Sequence, residues 1–216
     1  MKILDWVIDF VFPKRCVGCG KYEIFLCEGC RAKMAKPRQI CPMCCQASIG
    51  GMTHEKCKRR WGMEGLFAVF AYKNPVVRGV VDGIKFGFCR DLVKIVLDGY
   101  EYDYEKVDVV VPVPLHWYRE NWRGFNQAEE IAKEIKGSKV RNILVRKRKT
   151  EQQARIKSKE IRVKNIAGAF EVAEKVRGMK VLLVDDVFTS GASMRECAKV
   201  LKKAGAMEVW GFVLAR

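Results

Sequence analysis

The sequence predicts an α/β protein whose mostly parallel sheet with flanking helices is preceded by a small cysteine-rich domain. Eight of the ten cysteines fall within residues 16–57. Beyond residue 62 that pattern stops, and apolar stretches of strand and helix periodicity alternate. We therefore predict two domains: residues 1–62, with an N-terminal helix and the cysteines, and residues 63–216, with the sheet.

Composition excludes several classes of protein. The chain has 216 residues, of which 49% are hydrophobic, so it can bury a core and is not disordered. No apolar run approaches the roughly 20 residues that cross a bilayer. Residues 1–12 predict a short helix ended by Pro13, and acidic residues and the lack of a cleavage site argue against a signal peptide. We expect a cytoplasmic protein without a membrane span.

The positive charge is clustered. The net charge is +16, and it divides into +7 over residues 1–62, −1 over 63–140, +8 over 141–164 and +2 over 165–216. A clustered excess favours a polyanionic partner over a role in solubility alone.

The cysteines form four knuckles, in which two residues separate the paired ligands. Four such ligands complete a tetrahedral zinc site, whereas disulfides are disfavoured by the spacing and the missing secretion signal. We predict two structural zinc sites with sequential pairing, although interleaved pairing is possible and Cys45 competes with Cys44. The predicted ligands are Cys16, Cys19, Cys27 and Cys30, and then Cys41, Cys44, His54 and Cys57.

The role of this cysteine-rich domain stays open at the level of sequence. Its many basic residues suit contact with nucleic acid, but small zinc ribbons also brace a neighbouring domain. A segment this short buries little core, so metal binding would supply its folding energy. Cys89 and Cys197 stand alone on apolar elements and are expected to be packing residues.

The remaining chain predicts alternating strands and helices. An apolar stripe at Val77, Val80, Val81 and Ile84 indicates an amphipathic helix. The predicted strands cover residues 66–72, 107–113 and 181–184, and the predicted helices cover 76–86, 91–100, 126–135 and 194–203.

The third of these strands ends in two carboxylates, Asp185 and Asp186. A loop of small residues follows, and then a helix begins; its members are Thr189, Ser190, Gly191, Ala192 and Ser193. Backbone N–H groups and hydroxyls there can bind a phosphate. The carboxylates can accept hydrogen bonds from ribose hydroxyls or help to hold Mg²⁺. The alternative is an ordinary strand end with solvated aspartates and a helix cap. The Lys of a Walker loop and the G-x-G-x-x-G pattern are absent.

A second loop follows the strand predicted at residues 107–113. It would lie at the carboxyl edge of the sheet, where α/β folds bind ligands. Arg119 and Arg123 on this loop can pair with pyrophosphate oxygens.

Together these motifs resemble the ComF family, which comprises competence proteins related to amidophosphoribosyltransferases. The resemblance covers nearly the whole chain and rests on Pro-Val-Pro-Leu-His at 112–116, Arg-x3-Arg-Gly-Phe-Asn-Gln-Ala at 119–128, Lys-Thr-x2-Gln at 149–153, Arg-x2-Asn-x3-Ala-Phe at 162–170, the acidic pair and the knuckles. His54 stands where the family usually has a cysteine, and Ser190 where it usually has threonine.

The resemblance implies a type I phosphoribosyltransferase-like fold behind a double zinc ribbon, with a pocket for phosphoribosyl pyrophosphate (PRPP) and Mg²⁺. Asp185 and Asp186 would be the catalytic carboxylates and hold the ribose hydroxyls. The small-residue loop would hold the 5-phosphate, and residues 146–164 would correspond to the mobile loop over the site. The pyrophosphate would meet Val113, Pro114, Leu115, Arg119 and Arg123.

Basic side chains beside aromatic ones indicate a second kind of ligand. Residues 141–164 carry ten Lys or Arg, and Trp117, Tyr118, Trp122 and Phe125 lie on the loop expected nearby. This arrangement tracks a phosphate backbone and stacks the bases of single strands; the alternative is a solvated loop with core aromatics. The candidate DNA contacts are Trp122, Arg146, Lys147, Arg148 and Lys149.

The resemblance implies a protein that handles incoming single-stranded DNA during transformation, alongside a competence helicase. Two other functions stay open. One is an active Mg²⁺-dependent phosphoribosyltransferase acting on a small amine or base. The other is a regulator that uses PRPP or a nucleotide only as a ligand.

Overall fold

The structure is a computed structural model that describes residues 14–57, 62–86, 90–100, 107–115, 124–135, 139–147 and 165–216. The predicted helix at residues 1–12 lies outside these ranges. Within them, no helix combines the length and the hydropathy that a membrane crossing requires.

A four-stranded sheet in which every neighbouring pair is parallel forms the centre of the fold. Its spatial order is β1-β6-β5-β2, and β3 and β4 form a separate antiparallel pair. The predicted fold class is therefore confirmed. The strands are β1 (Gly65–Phe70), β2 (Val109–Pro112), β3 (Leu144–Arg146), β4 (Phe170–Val172), β5 (Lys180–Val187) and β6 (Glu208–Ala215).

Local signals explain where the helices begin. The Asn74 side chain accepts the N–H groups of Val76 and Val77, at 3.0 and 3.3 Å, at the start of the helix that Pro75 opens. Asn126 caps a later helix by accepting the N–H of Ala128 at 3.1 Å. The described α-helices are α1 (Glu28–Arg31), α2 (Pro75–Phe86), α3 (Asp91–Leu97), α4 (Gln127–Lys133) and α5 (Ala192–Lys203).

The sheet is buried on both faces, and β5 shows how. Leu182 and Val184 face a core formed with α2, α3 and α4, whereas Val181 and Leu183 face a core formed with α5 and the β3–β4 pair. This alternation is the two-residue period of a strand. The stripe predicted on α2 is buried in the first core, as expected.

Both edges of the sheet are covered by other parts of the chain. On β1, Met52 forms an antiparallel bridge with Gly65, and the Gln39 side chain donates to the Ala68 carbonyl at 3.1 Å. On β2, Val110 bridges to Val140. The segment between Gln39 and Met52 therefore covers part of the free edge of β1.

The first cysteine knuckles pack against α2. A Cβ on Gly79 would lie 2.4 Å from the Val17 carbonyl oxygen, so glycine allows this close approach. Cys16 and Cys30 are buried in the same core as Val77. The cysteine-rich region is thus joined to the sheet by packing, and the domain boundary at residue 62 stays a prediction.

Candidate functional site

Asp185 and Asp186 lie near the C-terminal end of β5. The strand extends to Val187, beyond the end predicted at residue 184. The Asp186 N–H donates to Asp185 Oδ1 at 2.9 Å, and the Val187 N–H donates to Asp186 Oδ1 at 2.6 Å. Both carboxylates are half-buried. They are held at the carboxyl edge of the parallel sheet, where the sequence places them.

Lys85 is a site residue that the sequence analysis missed. It lies near the end of α2, and its Nζ is 2.9 Å from Asp186 Oδ2. The two side chains are only 20% and 17% exposed, so solvent screens this pair less than a surface ion pair. The only sequence signal is a lysine in the last turn of an amphipathic helix, which also fits a solvated side chain.

Ionisation of both members of the acidic pair is unfavourable. Burial raises the pKa of Asp185 to about 8, with a further contribution from the neighbouring Asp186 charge, while Lys85 opposes the shift. Two carboxylates this close do not both ionise readily. The site is therefore suited to hydroxyl groups, which can donate to one carboxylate and accept from a protonated one.

The loop after β5 leads directly into α5. Gly191, with φ 71°, precedes the helix, and a Cβ there would meet the Phe188 ring at 2.2 Å, so glycine is required on both counts. Ser190 Oγ accepts the Ala192 N–H at 3.4 Å. Thr189 is exposed and Ser193 is half-buried. Because the first turn of a helix leaves N–H groups without helical partners, this loop can receive an anion.

Val113, Pro114 and Leu115 follow β2, which is the parallel neighbour of β5. The Val113 N–H donates to the Val184 carbonyl at 2.8 Å, and the Asn126 side chain donates to the Val113 carbonyl at 3.1 Å. The structure thus brings this turn to the same sheet edge as the acidic pair. Arg119 and Arg123 lie outside the described residues.

The basic segment is described only through residue 147. Arg146 places its guanidinium 5.4 Å from the centre of the Phe170 ring, and Lys147 forms an ion pair with Glu171. The first contact joins β3 to β4, and the second joins β4 to the residue that follows β3. Phe125, a candidate aromatic, is buried beneath the guanidinium of Arg90 at 4.7 Å. Trp122, Arg148 and Lys149 lie outside the described residues.

The first four predicted metal ligands are Cys16, Cys19, Cys27 and Cys30, and their sulfur atoms all lie within 4.8 Å of one another. The Cys27 sulfur is 3.7 Å from both the Cys16 and the Cys19 sulfur. Zinc–sulfur bonds of about 2.3 Å in a tetrahedron place sulfurs about 3.8 Å apart, far beyond disulfide bonding. The donor set fits zinc.

The second group joins Cys41, Cys44, His54 and Cys57, again within 4.8 Å of one another. His54 Nδ1 is 3.4 Å from the Cys44 sulfur, and its Nε2 is 3.2 Å from the Ala47 carbonyl. A ring nitrogen directed at a carbonyl is the usual support of a histidine ligand. The pairing is sequential, and Cys44 rather than Cys45 joins the cluster; Cys45 is exposed, with φ 61°. This donor set also fits zinc.

Two residues of α5 outside the predicted site contact its surroundings. Arg195 is buried, and its guanidinium donates to the Pro42 carbonyl. Glu196 Oε1 accepts the N–H of Gly168, close to β4, at 2.9 Å. Cys197 is fully buried, as expected for a packing residue, and burial raises its pKa. Cys89 lies outside the described residues.

Comparison with known proteins adds family information. A family model described as "Phosphoribosyl transferase domain" matches residues 89–216, more than half of the chain. "Competence protein ComFC" of Bacillus subtilis is 27% identical over 206 residues, which cover 88% of this chain and 84% of that protein. "Competence protein F" of Haemophilus influenzae is 33% identical over 117 residues, or 50% of this chain and 51% of that protein.

A third relative, "DNA utilization protein YhgH" of Escherichia coli, is 33% identical over 114 residues. The chain spans about half the length of the Haemophilus and Escherichia proteins. A solved structure titled "Structure of the allosteric regulatory enzyme of purine biosynthesis" aligns with 57% of this chain and 24% of its own, at 22% identity and a TM-score of 0.37. On the family model and the named relatives, the chain belongs to the phosphoribosyl transferase domain family and is a ComF-type member of it.

Proposed function

We propose that this protein binds PRPP and single-stranded DNA, and that it serves DNA uptake in natural transformation. The observation that carries the PRPP half is the order of groups along one sheet edge: two carboxylates, a loop closed by Gly191, and the N-terminus of α5. The ribose hydroxyls would bind Asp185 and Asp186, and the 5-phosphate would bind the loop from Thr189 to Ser193.

The pyrophosphate would lie against Val113, Pro114 and Leu115, with Arg119 and Arg123 as its cationic partners. Mg²⁺ would accompany it, since this ion binds through phosphate oxygens and one or two carboxylates. When bound, the ion would neutralise charge on the pyrophosphate. The chain's own residues would orient the ribose and hold both phosphate groups.

Two observations support the DNA half of the proposal. The relatives include proteins named for competence and for DNA utilization. Residues 141–164 carry a net charge of +8. Trp122, Arg148 and Lys149 are the candidate contacts that we favour, because Arg146 and Lys147 already contact the ring of Phe170 and the carboxylate of Glu171. We also propose that the protein acts in the cytoplasm, where a competence helicase would be its partner.

A titration of PRPP with Mg²⁺ into the zinc-loaded protein tests the pocket. Asp185→Asn with Asp186→Asn should abolish binding, because the negative charge of the pair is removed while the shape of both side chains is kept. Circular dichroism and thermal unfolding check that the double variant is folded. Unchanged affinity in a folded double variant would reject the pocket assignment.

A phosphoribosyltransferase that acts on a small amine or base is the second candidate, favoured by the acidic pair and Lys85 at one sheet edge. The two functions differ in what happens to PRPP. Release of pyrophosphate during incubation with candidate amines and bases, without salt-dependent DNA binding, would establish the transferase instead.

A further inference from the structure

Arg195 is a buried arginine that contacts the second cysteine cluster. It is only 5% exposed, and its Nη2 donates to the Pro42 carbonyl at 2.6 Å. Pro42 directly follows Cys41 and belongs to the turn that ends at Cys44. A buried guanidinium requires acceptors, because a buried charge left without partners is strongly destabilising. The carbonyl of Pro42 is therefore a contact on which the position of Arg195 depends.

The same arginine also contacts the region of the loop proposed to hold phosphate. Its backbone N–H donates to the Gly191 carbonyl at 2.9 Å, and its guanidinium carbon lies 5.9 Å from the centre of the Phe188 ring. That ring is packed so closely on Gly191 that a Cβ would meet it at 2.2 Å. The backbone contact is the first hydrogen bond of α5 and does not depend on the side chain, so the guanidinium connects the second cluster to the loop through Phe188, the residue that precedes the loop.

Charge supports the same connection. Burial lowers the pKa of Arg195, and the charges of Cys45 and Cys41 oppose that shift. The guanidinium therefore lies in the field of Cys41, the cluster ligand next to Pro42, and of Cys45, which lies outside the cluster. When zinc binds, Cys41 is held as a thiolate in a fixed place, next to Pro42.

We propose that Arg195 is a positioning residue, through which metal in the second Cys/His cluster holds the phosphate loop in its binding conformation. This inference rests on the proposed function, because it requires that the loop bind the PRPP phosphate. Metal fixes the turn from Cys41 to Cys44, and the turn presents the Pro42 carbonyl to Arg195. The Arg195 guanidinium then holds the Phe188 ring, and with it Gly191, in place. Without metal, the turn loosens and the loop loses this support.

Such a connection has a reciprocal consequence. If zinc in the second cluster tightens PRPP binding, PRPP must tighten zinc in that cluster by the same factor. Couplings of this kind commonly amount to about 5–150-fold. A purely structural arginine would lower the unfolding temperature of the protein but would not link the two affinities.

The first experiment compares PRPP affinity by calorimetry in zinc-loaded wild type, Arg195→Met, Arg195→Lys and the control Lys199→Met. Lys199 is an exposed residue of the same helix, one turn further on, and pairs with Glu196 at 3.7 Å. We expect binding about tenfold weaker in Arg195→Met, partial recovery in Arg195→Lys and no change in the control. Equal affinity in folded Arg195→Met and wild type would overturn the inference.

The second experiment starts from the metal, and Arg195→Lys takes the place of Arg195→Met in it if the latter does not fold. His54→Ala removes one ligand from the second cluster and should weaken PRPP binding as much as Arg195→Met does. The double variant should be no weaker than either single one, since both break one connection. Independent, additive losses would contradict the connection.

A competition between the protein and a zinc chelator, with and without PRPP, measures the reciprocal effect. PRPP should protect one zinc of the wild type and none of Arg195→Met. Protection that is equal in both, or missing in a wild type that binds PRPP, would overturn the inference. A wild type that does not bind PRPP at all would instead reject the proposed function.

Discussion

The ammonium group of Lys85 lies 2.9 Å from the Asp186 carboxylate and so ties the end of α2 to the end of β5. Lys85 precedes the residues that the phosphoribosyl transferase model matches, which begin at 89. The helix that carries it also packs against the first cysteine knuckles through Gly79. A side chain from outside the matched region therefore offsets negative charge at the candidate ribose site.

Lys85→Met should weaken PRPP binding by roughly tenfold, because a hydrogen bond between charged groups contributes about 1.5–3 kcal/mol. The remaining carboxylates would then face the anionic ligand without their cation. Calorimetry at neutral pH measures the effect, and Lys85→Arg should restore most of the affinity. The exposed Lys94 on α3 offers the matched control, Lys94→Met, which should leave binding unchanged. Full affinity in folded Lys85→Met would show that Lys85 is dispensable.

Asp185→Asn should make the unliganded protein more stable as the pH rises. The folded-state pKa of Asp185, about 8, lies above the ordinary value of 3.8, so the folded state keeps a proton that the unfolded state releases between these values. The wild type therefore loses stability across this window, by at most about 1.4 kcal/mol per pH unit, and the amide does not.

Thermal unfolding between about pH 6 and pH 8 checks this, since 1 kcal/mol corresponds to about 2–4 °C in a protein of this size. The advantage of Asp185→Asn over wild type should grow with pH. Asp82→Asn, at an exposed position on α2, serves as the control. Parallel pH profiles for wild type and Asp185→Asn would contradict the raised pKa.

The purified protein should contain two zinc ions per chain. His54→Ala should reduce the zinc content to one, whereas Cys45→Ser should leave two, because Cys45 lies outside the second cluster. Elemental analysis of the three proteins measures this. A loss of zinc in Cys45→Ser would show that Cys45 is the ligand, and disulfides without zinc would reject both sites.

Affinity for single-stranded DNA should fall steeply with salt. Each neutralised phosphate contributes about −0.7 to the slope of log affinity against log salt concentration, so replacing Arg148 and Lys149 by Ala should flatten it by about 1.4. Lys147→Ala should change the slope less than either, because its charge is already paired with Glu171. Fluorescence anisotropy at several salt concentrations measures the slopes. A flat salt profile in wild type would remove the DNA half of the proposal.

Trp122→Ala should weaken the same complex by about 1–3 kcal/mol if a base stacks on the indole. PRPP affinity should be unaffected, because the carboxylates and the start of α5 are unchanged. Loss of PRPP binding instead of DNA binding would assign Trp122 to the pocket.

The sequence predicted the elements whose signals are local. The apolar stripe of α2, the paired knuckles, and the acidic pair followed by small residues each depend on residues within about one turn or one loop. The strand β6 was not predicted, because its sequence carries no local signal of this kind. Glu208–Ala215 is buried on both faces and therefore lacks alternation, and Gly211 lies at its middle, where a Cβ would meet Leu66 at 2.8 Å.

Lys85 and Arg195 could not be predicted for a different reason. Their partners, Asp186 and Pro42, are about a hundred or more positions away in the chain. A lysine or arginine on an amphipathic helix usually lies on its solvated face, and only the packing of α2 and α5 directs these two side chains inward. The clusters depended on spacing, which is why their ligands, unlike these two residues, could be named from the sequence.

The cover that the segment from Gln39 to Met52 gives to β1 has a consequence for handling the protein without metal. This segment contains Cys41 and Cys44, so chelation would release it and uncover the edge of β1 at Gly65 and Ala68. An uncovered strand of this kind is a template for pairing between molecules. Metal-free protein should therefore aggregate through strand addition rather than simply unfold, and zinc in the second cluster would act as a safeguard of solubility.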